Sequence, residues 1–252
     1  MKIVVIGGTG LIGSNLVNKL SQRDHIVIAA SPASGVNSIT GEGLSEALKD
    51  ADVVVDVSNS PSFEDKAVMD FFQTSTSNLL HAAEYAGVKH YVALSIVGTD
   101  RLPASGYLRA KVAQEELIKL SGIPYSILRS TQFFEFADRI LKAATTGQEV
   151  HISPAAFQPI ASEETVAALA NIVQAAPINA VVDVAGPVRT TMYEFIRYYM
   201  DEMEDPHELV SDEHALYFGT ELHDELVPTG LPLLGKIKYE DWLKTKLVKE
   251  HA

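Results

Sequence analysis

Met1-Lys-Ile-Val-Val-Ile-Gly7-Gly-Thr-Gly10-Leu-Ile-Gly13 is the stretch from which the fold is read. Lys2 to Ile6 is a β-branched apolar run of strand length. It stops at Gly7-Gly8-Thr9-Gly10, and apolar residues at helical spacing follow at Leu11, Ile12, Leu16, Val17 and Leu20. Strand, glycine turn and helix together make a cradle for phosphate. Gly7 permits a tight turn, Gly10 lets the backbone approach a pyrophosphate, and Gly13 lets the helix lie against the strand. The unpaired N–H groups and positive dipole end of that helix face the anion, with Thr9, Leu11 and Ile12 adding backbone contacts. A glycine fingerprint alone is weak, but this one follows a strand and opens a helix, which is the context a dinucleotide site requires.

Working outward, His25 to Ala30 reads as a second strand that ends in Ser31-Pro32-Ala33-Ser34-Gly35. A carboxylate at this strand end would hold the ribose 2′-hydroxyl of NAD, and an arginine nearby would accept the 2′-phosphate of NADP. Neither is present. Ser31 and Ser34 can hydrogen-bond either form, and the missing carboxylate leans towards NADP. Glu42 to Lys49 is a short helix and Asp52 to Val57 a third strand, ending in Ser58-Asn59-Ser60-Pro61 beside the expected nucleotide. A helix from Glu64 to Ala86 closes at Gly87. His90 to Ile96, a helix over Gly106 to Ser121, and Tyr125 to Leu128 continue the alternation. Alternating strands and helices predict a doubly wound parallel sheet with right-handed crossovers. Ligands in such sheets sit beyond the strands' carboxyl ends, so Gly7 to Gly13, Ser58 to Ser60, Ser95 and Arg129 to Phe133 are expected to border one crevice.

Beyond about Ser130 the rhythm changes. A helix is expected over Phe133 to Thr145, short strands over Glu149 to Ile152 and Gln158 to Ala161, and a helix from Ser162 to about Ala175. A strand over Val181 to Val184 and a helix from Thr191 to about Glu202 follow, with an acidic and then amphipathic tail. Residues 1–130 form the nucleotide-binding part, and 131–252 a smaller substrate-side cap interleaved with the sheet. Phe133 and Phe134 are candidates for its substrate wall. Phe157 and Tyr217 are further aromatics that could choose the substrate, and for any one of the four a place in the core is the better reading.

Composition narrows the function. The 252 residues carry 33 Asp and Glu against 20 Lys and Arg, a net charge of -13 that disfavours nucleic acid and anionic membrane surfaces. With no cysteine, disulfides, thiol catalysis and Cys-ligated metal are excluded. His81 and His90 have no partner at metal spacing, so no metal is expected. A strand that starts at Lys2 leaves no room for a signal peptide, and no apolar run reaches membrane length, so the expectation is a cytoplasmic protein. A small-molecule substrate and a monomer or homodimer fit this picture.

Tyr107-Leu-Arg-Ala-Lys111 carries the chemistry. A tyrosine and a lysine four apart share one helix face. Lys111 as a cation would lower the Tyr107 pKa from about 10, and would reach the nicotinamide ribose hydroxyls. Tyr107 would then exchange a proton with a substrate oxygen that Ser95 also hydrogen-bonds. Tyr85-Ala-Gly-Val-Lys89 has the same spacing but straddles the stop at Gly87, so it cannot present one helical face. Position selects Tyr107, which follows the strand-end Ser95 by twelve residues and opens the next helix.

The glycine turn, the order Ser95, Tyr107, Lys111 and the strand end Val184-Ala-Gly-Pro187 resemble the short-chain dehydrogenase/reductase superfamily. The brief stretch after the second strand and Pro124-Tyr-Ser-Ile-Leu-Arg-Ser-Thr-Gln-Phe-Phe134 are similar to its atypical NmrA-like branch. The resemblance is strong to about residue 135 and looser afterwards. It implies a Rossmann-type sheet with NAD or NADP, and a cap that receives a small substrate. The activity expected is hydride transfer to or from a carbonyl, alcohol or quinone-like compound. NmrA-like proteins also include catalytically silent NADP sensors, and the same three residues serve sugar-nucleotide epimerases, for which this cap is short and poor in basic residues. One departure stands out: Phe72 aligns with the position that often holds an asparagine completing the proton relay, so the relay behind Lys111 needs water or another group.

Overall fold

The computed structural model describes residues 1–250. In the first half, β1 (Lys2–Ile6), β2 (Ile26–Ala30), β3 (Val53–Asp56), β4 (His90–Ile96) and β5 (Tyr125–Ser130) alternate with α1 (Leu11–Ser21), α2 (Leu44–Leu48), α3 (Asp65–Tyr85) and α4 (Gly106–Leu120). The second half runs α5 (Ala137–Ala144), β6 (Thr145–Thr146), β7 (Glu149–Ile152), β8 (Ala156–Phe157), α6 (Ser162–Gln174), β9 (Ala180–Ala185), β10 (Thr190–Thr191) and α7 (Met192–Glu202). It closes with β11 (Glu208–Ser211), β12 (Leu216–Tyr217), β13 (Thr220–Glu221), β14 (Leu233–Leu234) and α8 (Tyr239–Glu250).

Seven strands form one sheet in the order β14-β9-β5-β4-β3-β1-β2, every pairing parallel. This is the Rossmann-type doubly wound fold expected. Central parallel strands are apolar on both faces because helices cover both. Ile3, Val5, Val53, Val55 and Val92 pack against α1 (Ile12, Leu16, Leu20) and α6 (Val166, Leu169, Val173). Val4, Ile6, Val54, Tyr91 and Ala93 point the other way, against α2, α3 and α4. Burying each such Val, Leu or Ile contributes roughly 1.5–3 kcal/mol. A further core, around Phe134, Phe157, Phe195, Ile196, Tyr239 and Leu243, lies in the second half and meets Leu102 and Leu108 from the first.

The start of the second half differs from the expectation. Phe134–Phe136 is a 3-10 turn rather than the beginning of a helix. Phe133 stays extended because it bridges Ile160, whose N–H donates to Gln132 O while the Phe134 N–H donates to Ile160 O. No strand forms over Gln158 to Ala161, where Ile160 makes only an isolated bridge; β8 lies just before it and pairs antiparallel with β10.

Two glycines fix the β1–α1 turn. Gly7 sits at φ +78°, and a Cβ there would lie 2.9 Å from the backbone of Ser58. A Cβ on Gly13 would lie 2.1 Å from Gly7 O, so α1 can cross the turn this closely only without a side chain at 13.

Candidate active site

Beyond the carboxyl ends of the strands lies a cleft of about 1250 Å³. Gly7, Thr9, Gly10, Leu11 and Ile12 form its floor at the start of α1. Gly10 caps that helix in extended conformation, and the first-turn N–H groups have no partner within the helix. Ser31 borders the cleft at the end of β2, Ser58 and Asn59 after β3, and Ser95, Tyr107, Lys111 and Phe133 further along. The hydroxyls of Ser31 and Thr131, both buried in this wall, have no hydrogen-bond partner among the described residues. A glycine turn against a helix N-terminus, with orphan hydroxyls on either side, fits a dinucleotide in donor chemistry and in room for the chain to approach.

Three expected contacts are absent from the wall. Gly13 lies behind the turn, where its role is the close approach already described. Ser34 is turned into its own loop: its Oγ accepts from Ser31 N at 2.9 Å and donates to Ser31 O at 2.9 Å. Phe134 points into the second-half core, its ring 5.0 Å from Tyr239 and 5.6 Å from Trp242. Phe157 is likewise core, against Phe195 at 5.3 Å, whereas Tyr217 does line the cleft. Around the end of β2 the wall contains Ser31, Pro32, Asn37 and Ser38 but no charged side chain.

Tyr107 occupies the first turn of α4, behind the N-cap Ser105. Its hydroxyl donates to Asn59 Oδ1 at 2.9 Å. Its ring stacks on Phe218 with centroids 5.4 Å apart and planes 8° from parallel, and meets Phe63 at 5.3 Å and the edge of Phe72 at 6.1 Å. Phe218 and Gly219 form the tip of the β12–β13 hairpin with φ of +53° and +76°. That pair of left-handed residues is the turn geometry two-residue hairpins favour, but it is unusual for an aromatic residue. Burial pushes the Tyr107 phenol up to about 12, against the pull of Arg139 and of the Asn59 hydrogen bond.

The contacts of the expected residues differ from the simple picture in two places. Arg139 of α5 is the cation whose charge draws the phenol down against burial. The Lys111 ammonium, 3% exposed, donates to Leu94 O at 2.9 Å and to Gln114 Oε1, and lies 4.5 Å from the Phe72 ring centroid. Burial lowers its pKa to about 8, with Asp56 and Glu115 partly offsetting the loss. Phe72 thus does sit at Lys111. The polar group behind the lysine is Gln114, whose amide donates to Asp56 Oδ2 at 2.9 Å. Asp56 also accepts from Tyr91 Oη at 3.2 Å, and from Ser58 N at 3.0 Å and Ser58 Oγ at 2.6 Å. A buried chain of side chains so ties Lys111 to the loop that carries Asn59.

Ser95 is the second. Its Oγ donates to Glu115 Oε1 at 2.6 Å. It shares a sheet face with Tyr91 and Ala93, so its side chain turns under α4 while the residue still borders the cleft. Glu115 is gripped by Arg129 through two contacts of 2.8 Å. Burial would raise the Glu115 pKa, but Arg129 and Ser95 hold it below the usual carboxylate range. Among the described residues no three His, Asp or Glu side chains gather to hold a metal ion, and no helix is long and apolar enough to cross a membrane.

Asn59 as the Tyr107 acceptor, Gln114 with Asp56, and Arg139 and Phe218 in the cleft wall are features that no sequence motif marked. Only Gln114 carried a local signal, being three residues after Lys111 on the same helix.

Comparison with known proteins bears on the fold and its nucleotide cleft. A family model described as NAD(P)H-binding matches residues 7–170. The photosystem II assembly factor Ycf39 of Synechocystis sp. is 25% identical over 149 residues, covering 54% of this chain and 46% of that protein. The (4-alkanoyl-5-oxo-2,5-dihydrofuran-3-yl)methyl phosphate reductase of Streptomyces griseus is 26% identical over 144 residues, covering 52% and 48%. These matches span about half the length of either relative. The crystal structure of dTDP-4-dehydrorhamnose reductase from Bacillus anthracis, in complex with NADP, superposes with a TM-score of 0.74 over 98% of this chain and 99% of that one, at 14% identity.

Proposed function

The chain belongs to the NAD(P)H-binding family, and from that premise we propose that it is an NAD(P)-dependent reductase of a carbonyl or quinone-like substrate. The observation that carries this reading is Tyr107: an oriented phenol in the wall of the nucleotide cleft, one helical turn before Lys111. Gly7, Gly10, Leu11 and Ile12 would hold the pyrophosphate, Ser31 the adenosine ribose, and Lys111, when charged, the nicotinamide ribose. The nicotinamide, when bound, supplies or accepts the hydride.

The protein's part is the proton. A phenol held at about 12 stays protonated at neutral pH. It therefore holds the proton that an oxygen becoming an alkoxide would take up. That proton is the one the reductive direction consumes. Asn59 fixes the hydroxyl, and the Phe218 roof keeps water from the ring face. Ser95, engaged by Glu115, positions α4 against β4 rather than touching the substrate oxygen. The reductase name of the Streptomyces relative agrees with this direction.

Tyr107→Phe tests the reading. On a carbonyl and quinone panel followed at the nicotinamide absorbance, turnover falls by about a hundredfold or more, the usual scale of a positioned general acid, while NADPH binding persists. A variant as active as the parent on its best substrate would refute the assignment. One observation favours a second reading, a non-catalytic NAD(P) sensor: Phe72 fills the relay position behind Lys111. That reading predicts cofactor binding that distinguishes oxidised from reduced forms, with no turnover on the panel.

A further inference from the structure

Cations are scarce in this acidic chain, and those near the cleft are mostly paired. Asp65, the one carboxylate in the cleft wall, is engaged by Arg109 at 2.7 Å. Lys111 is engaged from behind, as described. Arg139 is different. It is exposed on α5, borders the cleft, and has no carboxylate or hydrogen-bond partner among the described residues. The two acidic residues nearest it in the chain are committed elsewhere: Glu135 accepts from Ser162 N and Oγ, and Asp138 pairs with Lys142 at 2.8 Å. What Arg139 does touch is aromatic, its guanidinium lying 4.8 Å from the Phe63 ring centroid. Phe63 in turn lies 5.3 Å from the Tyr107 ring, which places the Arg139 charge towards the reacting end of the cleft.

We propose that Arg139 is the anion-recognising residue of the substrate end, and that the ligand it receives is a planar carboxylate whose apolar body lies among Phe63, Tyr107, Tyr217 and Phe218. The planarity follows from those flat walls. The carboxylate follows from the lone guanidinium, whose fork matches two oxygens in one plane; a phosphate monoester, with a second charge and a third oxygen, calls for more donors than one arginine supplies. A guanidinium held on a ring face is weakly hydrated and already oriented, so little order is lost when the anion arrives. This inference rests on the reductase reading for the site, and names the class of compound that the site takes.

The test compares 4-formylbenzoate with its methyl ester and with 4-formylphenyl phosphate. Each is titrated calorimetrically into the NADP⁺-loaded protein and into Arg139→Met and Arg139→Lys. Turnover is read separately with NADPH. The carboxylate is expected to bind about ten- to a hundredfold more tightly than the ester, the range of a charge-assisted hydrogen-bonded pair. Arg139→Met should bring that ratio close to one, with Arg139→Lys between. Equal binding of acid and ester, a preference that survives in Arg139→Met, or binding of none of the three would overturn the proposal. Tighter binding of the phosphate would overturn the carboxylate assignment. Preferential binding of the carboxylate with no oxidation of NADPH on any carbonyl would leave the anion site standing and refute the reductase reading instead.

Discussion

Replacing Lys111 by methionine removes a charge that the fold buries against its solvation. The ammonium titrates at about 8 instead of 10.5. At ~1.36 kcal/mol per pH unit, that difference makes the buried charge cost about 3 kcal/mol at neutral pH. Methionine fills a similar volume without the charge, but leaves Leu94 O and Gln114 Oε1 without a donor, a loss of about 1–3 kcal/mol. Near pH 7 the two effects nearly cancel, so the stability of the variant at one pH says little. The pH dependence is decisive. Below pH 8 the lysine is charged in both states and the folded protein bears the full cost. As pH rises through 8 the folded protein releases a proton that the unfolded chain keeps to about 10.5. The unfolded state then binds more protons, and stability rises with pH. Between pH 7 and pH 10 the parent should gain about 2.5 kcal/mol relative to Lys111→Met. Urea unfolding of the cofactor-free proteins at several pH values measures this, and other titrating groups cancel in the difference. A difference that stays flat to within about 0.5 kcal/mol would show that Lys111 is not held as a destabilised cation.

Other predictions address the cradle and cofactor choice. In Gly13→Ala the new methyl would lie 2.1 Å from Gly7 O and 2.8 Å from Gly8 Cα; stability should fall by about 3 kcal/mol, at the upper end for overpacking, with NADPH affinity falling too, and urea unfolding plus a fluorescence titration read both. Because no charged side chain borders the cleft near Ser31, the parent should discriminate between NADPH and NADH by less than about tenfold. Pro32→Arg, exposed at the same rim, should then shift the ratio towards NADPH by about tenfold, as one arginine–phosphate contact allows.

The glycine turn and the alternation of strands and helices were enough to read the sheet and the place of its cleft. Both follow from local signals: an apolar run of strand length, a turn only glycine can make, and a helix stop at Gly87. Tyr107 and Lys111 were legible for the same reason, as neighbours on one helix. Ser95 could have been placed better, since its parity with Tyr91 and Ala93 already assigns it to the face beneath α4. The partners of Tyr107 were not legible, because they arrive from far along the chain. Phe218 reaches it from a hairpin 111 positions later, and Arg139 from a helix whose entry is delayed by the Phe133–Ile160 bridge. No spacing rule connects such residues. Nor does a sequence reveal that burial, and not the nearby lysine, governs the phenol.

The strand order has a consequence for dissecting this protein. The matched family segment ends at residue 170, yet β9 and β14, which complete the sheet, begin at Ala180 and Leu233. A fragment cut at that boundary would keep the glycine turn, Tyr107 and Lys111, but would strip β5 of its neighbour and leave Ser126 to Ser130 as an edge with unpaired backbone N–H and C=O groups. Unprotected edges of that kind pair with other chains. A fragment chosen by family boundary would thus be expected to self-associate, and the segment after residue 170 serves as the seal on the nucleotide-binding half as well as the roof of its cleft.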